Sequence, residues 1–383
     1  MTLLDTSVTR RRTLAIAGAS AAAFAVSPLS KAFAQDASPA SEGGEEGGGM
    51  PPLPEGATVV AEGLWNPGHL TFGPDGTLYI AETGVAAGGP EEGAPASPDT
   101  QGPAPLVAPQ VSQVSPDGTQ SVLTTEAGGV GIAVYEGEVY VSAGGSSVGM
   151  GMMPYQGENS IHAIDVETGE VRFVAELGAY EAEFNPDGTD INPNLYGLDI
   201  SSEGVIYVAD AGGNTIYTVD TYGFNTLFAV VPDLTTLTGA EADPEFGPRQ
   251  AVPTSVVIDD GGYINVGLLS EGWDGPNILA FAPDATYTEG VSGLTMVVGM
   301  ALGPDGLMYV SSLTADFSGE MPAPGNVFRI NADGTLEAVV EGLFFPHGIA
   351  FDDAGNLYVT VNSIISAPDA PMGQVLRFDG IAV

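Results

Sequence analysis

The 383-residue chain has no cysteine, and only eight of its residues are lysine or arginine. The first absence excludes a disulfide framework, a cysteine nucleophile and thiolate metal ligands. The second excludes nucleic acid and anionic membrane as natural partners, because both demand a basic surface. Four of the eight bases, Arg10, Arg11, Arg12 and Lys31, fall in the first 34 positions. The remainder keeps Arg172, Arg249, Arg329 and Arg377 against 48 carboxylates, a formal charge of −44 over residues 35–383. Also missing are a G-x-S-x-G elbow, a P-loop, an H-E-x-x-H pair and a Rossmann fingerprint between strand and helix. No 11-residue stretch beyond the leader carries a convincing 3.6-residue period.

The first 34 residues read as an export address. Thr9-Arg10-Arg11-Arg12-Thr13-Leu14 is a twin-arginine n-region, and Ala32-Phe33-Ala34 offers a small-x-small cleavage signal. The apolar run Leu14–Val26 has 13 residues, short of the roughly 20 that cross a bilayer, which argues against an uncleaved anchor. These features predict a monomer exported by the Tat route, with no membrane segment in the mature form. Residues 35–56, rich in Gly, Pro and Glu, cannot offset their ordering entropy and are expected to form a flexible tether.

From residue 57 one phrase recurs six times: an apolar strand opened by Gly or Pro, a tight turn, and a second strand with a central aromatic. The copies start near Pro67, Gly129, Asn194, Pro253, Val298 and Pro346, each followed by a third strand. The central positions, Tyr79, Tyr140, Tyr207, Asn265, Tyr309 and Tyr358, are spaced by 61, 67, 58, 44 and 49 residues. That period suits one four-stranded propeller blade plus loop insertions. The sixth copy ends after three strands, and residues 57–64 resemble outer strands such as 336–343. The fold expected for 57–383 is therefore all-β, a six-bladed β-propeller closed by an N-terminal strand that completes the last blade.

Loop insertions at about 83–109, 143–159, 178–194, 268–277, 312–326 and 361–374 belong to connections that open on one face. Insertions gathered on one face mark a binding surface, while the bland alternative is solvated elaboration. His69 and His347 stand beside prolines at the mouths of neighbouring inner strands, where they could reach the central channel with Asn194 and Asn362 nearby. Glu82 and Asp210 hold one equivalent position in two blades, and with Asn214 they offer oxygen ligands suited to Ca²⁺ or another divalent cation. Asp210 equally fits a turn role, accepting N–H bonds in its loop. His162 takes a slot filled by Tyr217, Leu279, Phe328 and Leu376, a packing position. Arg329 and Arg377 are expected to pair with local carboxylates, and the PDG aspartates to cap turns.

The segments 185–200 (NPDGTDINPNLYGLDI), 207–220 (YVADAGGNTIYTVD), 252–258 (VPTSVVI), 299–310 (GMALGPDGLMYV) and 342–359 (GLFFPHGIAFDDAGNLYV) together resemble the ScyD/ScyE-type secreted propellers. These sit within the broader NHL and gluconolactonase-like propellers. The resemblance runs over 57–383 and implies a six-bladed fold and export, but no reaction. Relatives often carry a cysteine pair in the first insertion, and here 83–109 has none. Gluconolactonase-like enzymes hold a channel metal with Glu, Asn and Asp; Glu82 and Asp210 match that set only in part. Three functions follow as expectations. The leading one is an exported, non-catalytic binding or accessory propeller that holds a small molecule or protein on its inserted face. The alternatives are a metal-dependent lactonase- or lyase-type enzyme and a surface protein binding calcium diffusely.

Overall fold

The computed structural model describes residues 52–86, 102, 104–145, 147, 152–239, 241, 249–270, 275–315 and 322–383. The leader, the tether up to residue 51 and the centres of several insertions lie outside the described residues.

Strand β1 is Thr58–Leu64. Blade one follows as β2 (Pro67–Phe72), β3 (Leu78–Glu82), β4 (Gln110–Val114) and β5 (Gln120–Thr124). Blade two is β6 (Gly131–Tyr135), β7 (Glu138–Ala143), β8 (Ser160–Asp165) and β9 (Val171–Glu176). Blade three is β10 (Leu195–Ile200), β11 (Val205–Asp210), β12 (Thr215–Asp220) and β13 (Asn225–Val230). Blade four is β14 (Pro253–Ile258), β15 (Ile264–Leu268), β16 (Ile278–Phe281) and β17 (Tyr287–Glu289). Blade five is β18 (Val297–Leu302), β19 (Met308–Ser312), β20 (Gly325–Ile330) and β21 (Leu336–Leu343). Blade six is β22 (Ile349–Phe351), β23 (Leu357–Val361) and β24 (Gly373–Phe378), with β1 as its fourth strand. All pairings are antiparallel, and β1 runs against β24 from Thr58↔Arg377 to Leu64↔Gly373.

Burial grades outward along each blade. The second strand of blade one is buried at every residue, whereas outer strand β17 is exposed throughout. Separate apolar clusters fill the six seams between blades. Tyr140, Ile161 and Leu177 of blade two, for example, meet Val208 and Tyr217 of blade three. Each sheet buries its faces only against its neighbours, so the ring has to close. The turns explain the repeated aromatic. In blade five Tyr309 is buried and donates its hydroxyl to Asp305 of the preceding turn at 2.8 Å; Tyr358 does the same to Asp352 at 3.2 Å. In blade one, Asp75 of the PDG turn accepts from the Thr77 N–H at 3.0 Å. Arg329 pairs with Glu337 at 2.6 Å and Arg377 with Asp379 at 2.8 Å, both local. His162 packs edge-on against Phe173 of the neighbouring strand in blade two.

Among the described residues two short helices interrupt the β-structure: α1 (Gly178–Phe184) between blades two and three, and α2 (Leu234–Thr238) between blades three and four. Both lie in connections from an outer strand to the next inner strand. Up-and-down strand order puts these connections on the same face as the loops joining second to third strands.

Candidate functional site

The inner strands enter the ring through irregular pairing. Register shifts fall between Pro67 and Leu70, Leu195 and Leu198, Pro253 and Ser255, and Val297 and Gly299. A bulge opposes two residues to one and re-aims their side chains. Such shifts span His69 in blade one and Tyr196 in blade three, whereas His347 lies just ahead of β22 in blade six, where the pairing with β23 is regular; the three side chains meet near the axis. Glycine makes room for the approach. A Cβ on Gly348 would lie 2.4 Å from the His69 Cα, and one on Gly197 would lie 2.8 Å from the His69 Cε1.

The three rings form one packed group. His69 and His347 have centroids 5.1 Å apart, Tyr196 stacks on His347 at 5.4 Å, and Tyr196 meets His69 edge-on at 6.3 Å. The Tyr196 hydroxyl lies 2.6 Å from His347 Nε2. His69 Nε2 spans from blade one to the Val298 carbonyl of blade five at 2.8 Å. A carbonyl only accepts, so His69 carries its proton on Nε2. Burial raises the Tyr196 phenol above its ordinary value, so it stays protonated and donates to His347. His347 then carries its own proton on Nδ1, a buried atom without a partner among the described residues. Burial pulls His69 down to about 4, against the opposing pull of the Val298 bond. Burial and the neighbouring His69 hold His347 well below the ordinary histidine value. Both imidazoles are neutral near pH 7.

Beside this group sits an apolar cluster of Ala211, Val252, Leu269, Met296, Val298 and Phe345, against which Tyr196 packs. Hydroxyls staple neighbouring blades together around it. Thr360 of blade six donates to the Gly68 carbonyl at 2.8 Å, Thr254 of blade four to that of Val297 at 2.6 Å, and Ser311 to that of His347. The axial centre therefore presents neutral donors and acceptors in an apolar setting. Its donors and acceptors are already engaged with one another and with the blade backbone, apart from His347 Nδ1.

The structure joins His69 and His347 as the sequence suggested and adds Tyr196, which the sequence reading missed. The available signal was that Tyr196 and His347 each precede the glycine of an inner strand. Asn194 and Asn362 do not join the group. Asn194 gives its backbone N–H to Asp210 at 2.7 Å and accepts from the Gly145 N–H at 3.1 Å, tying blade two's loop to blade three. Asn362, at φ 57°, donates to the Met372 carbonyl at 3.0 Å and closes its own loop.

The expected metal set Glu82, Asp210 and Asn214 is not assembled. Glu82 is buried in blade one, where it accepts from the Trp65 N–H at 2.5 Å, from Gln110 at 2.9 Å and from Ser112. Burial raises its carboxyl and these three donors oppose the rise. Asp210, in blade three, accepts through Oδ1 from the N–H groups of Asn194, Gly212 and Gly213, the turn role. Asn214 donates to Asp187 at 2.9 Å and to Gln250, and accepts from the Val252 N–H at 3.1 Å. Among the described residues, no three His, Asp or Glu side chains converge to hold a metal ion. Glu82 and Asp210 are equivalent in their blades because each closes the entrance of its inner strand, not because they share a ligand.

No family model and no curated protein matches the chain. Solved structures do. A protein of unknown function from Bacteroides thetaiotaomicron is 10% identical at a TM-score of 0.54, covering 84% of this chain and 75% of its own. A gluconolactonase from Xanthomonas campestris is 15% identical at 0.52, covering 84% and 88%. Regucalcin from Agrobacterium tumefaciens, described as a calcium-binding protein, is 14% identical at 0.51, covering 86% and 98%. At such identities the likeness establishes a shared six-bladed propeller fold and nothing finer.

Proposed function

We propose that this chain is an exported, acidic propeller that binds a small molecule or protein through its loop-bearing face and performs no reaction of its own. One observation carries this reading: the axial histidines are tied into the framework. His69 links two blades, and His347 is buried against Tyr196. A general acid or base needs a pKa near the working pH and access to the reacting atom. The resemblance to ScyD/ScyE-type propellers and the gathering of insertions on one face support the same reading. Export rests on the twin-arginine leader and accounts for a surface with so little basic charge.

The test is hydrolysis of a panel of aldonolactones and aryl esters by the full chain, with Ca²⁺, Mg²⁺ or Zn²⁺ supplied. Turnover no faster than in buffer is the expected result. Lactone hydrolysis that His347→Ala abolishes while the fold persists would overturn the proposal in favour of the enzyme reading.

A further inference from the structure

Blade three faces blade two with a run of buried polar side chains whose carboxylates are only partly satisfied. Asp210 and Thr215 are cross-strand partners, as are Val208 and Tyr217, so Asp210, Thr215 and Tyr217 share one face of the sheet. Helix α1 lies over this face, with Tyr180 edge-on to Tyr217 at 5.4 Å and Glu181 pointing inward. All four polar side chains, Glu181, Asp210, Thr215 and Tyr217, are 0% exposed. Three carboxylate oxygens have no hydrogen-bond partner among the described residues, both of Glu181 and Oδ2 of Asp210, while the hydroxyls of Thr215 and Tyr217 lie within reach of each other. Buried polar atoms are nearly always paired, and an unpaired carboxylate is the costliest exception.

Two of these oxygens face the same space. A Cβ on Gly213 would lie 2.9 Å from Glu181 Oε2 and 3.0 Å from Asp210 Oδ2, so the two oxygens are no more than about 6 Å apart across the space that glycine leaves. Burial, then the charges of Asp210, Asp187 and Asp190, push the Glu181 carboxyl up to about 8. The ion pairs of Arg172, Arg329 and Arg377 are made elsewhere, with Glu138, Glu337 and Asp379.

We propose that the seam between blades two and three is a calcium site, with Glu181, Asp210 and Thr215 as ligands, Tyr217 alongside, and the ion in the space beside Gly213. Calcium accepts roughly six to eight oxygens in flexible geometry, including bidentate carboxylates. Magnesium demands a near-octahedral shell and keeps several waters, which a pocket walled by fully buried side chains does not accommodate. Such an ion would fasten α1 and the 185–194 connection to blade three, ordering part of the inserted face. The site lies away from the axis and is independent of whether the propeller is a binder or an enzyme.

The experiment is calorimetric titration of the chelator-treated full chain with CaCl₂ in about 0.5 M NaCl, which screens diffuse binding to the acidic surface. One saturable calcium per chain is expected, with a rise in melting temperature on saturation. Glu181→Gln should weaken binding at least tenfold, and Gly213→Ala should abolish it by filling the space without altering charge. Thr215→Val serves as a third, near-isosteric variant should either of those fail to fold, and it too should weaken binding. Absence of saturable calcium binding by the parent chain would overturn the proposal, leaving the carboxyls to share a proton. Undiminished binding in the folded variants would overturn it equally.

Discussion

At the residue scale the axial group makes a testable statement about charge. His69 has a folded-state pKa of about 4, below its ordinary 6.5, so the folded chain resists its protonation. The associated stability is complete above pH 6.5 and is lost as pH falls from 6.5 toward 4. A depression of that size corresponds to about 3 kcal/mol at its limit. His69→Gln keeps a donor for the Val298 carbonyl but does not titrate. Urea unfolding at pH 7 and pH 4 should therefore show a smaller acid loss in the variant than in the parent, and equal losses would contradict the neutral-imidazole assignment. Tyr196→Phe removes the donor to His347 Nε2 and leaves a buried nitrogen unpaired, which should cost about 1–3 kcal/mol in the same assay.

At the element scale, the strands were readable because their signals are local. Period-two alternation, PDG turns and the aromatic that answers the turn aspartate repeat with each blade. The closing strand was readable for a related reason. Thr58–Leu64 buries Ala61 and Leu64 and exposes most of its other residues, and Leu336–Leu343 buries Val340 and Leu343 at the same spacing. The axial group was harder to read because bulges break the alternation where it forms. Shifts between Pro67 and Leu70 and between Leu195 and Leu198 displace His69 and Tyr196 from simple alternation, and His347 lies ahead of β22, so no common strand offset marks the three residues. Glu181 was hidden for another reason: the one described counterpart of α1, the shorter α2 between blades three and four, has no carboxylate, so no sister position marks Glu181 as unusual. The closing strand also carries a prediction. Ala61 is 2% exposed in the seam between blades six and one, while Val59 on the same strand is 36% exposed. Ala61→Asp would bury an unpaired charge and should cost several kcal/mol, about 3 or more, whereas Val59→Asp should cost less than about 1. Similar urea midpoints for the two variants would mean that β1 is not needed to close the ring.

At the scale of the whole molecule, the charge balance dominates. Residues 35–383 carry 48 carboxylates against four arginines, a net charge of −44, and three of those arginines are already paired with carboxylates. Self-repulsion of this size acts against the compact state, and its range follows the Debye length, about 30 Å at 0.01 M salt and about 3 Å at 1 M. The seams between blades are apolar and insensitive to screening at this level, so added salt should relieve repulsion without weakening the packing. The melting temperature should therefore climb between about 0.01 M and 1 M NaCl, with most of the gain below about 0.2 M, where the Debye length falls beneath the spacing of surface carboxylates. A chaotropic salt such as NaClO₄ should match NaCl over that lower range if screening is the cause, because screening depends on ionic strength and not on ion identity. A melt that does not move with salt would show that the acidic side chains are spaced widely enough to escape one another. A gain that appears only above about 0.5 M, and only with excluded salts such as sulfate, would assign the effect to strengthened apolar burial instead.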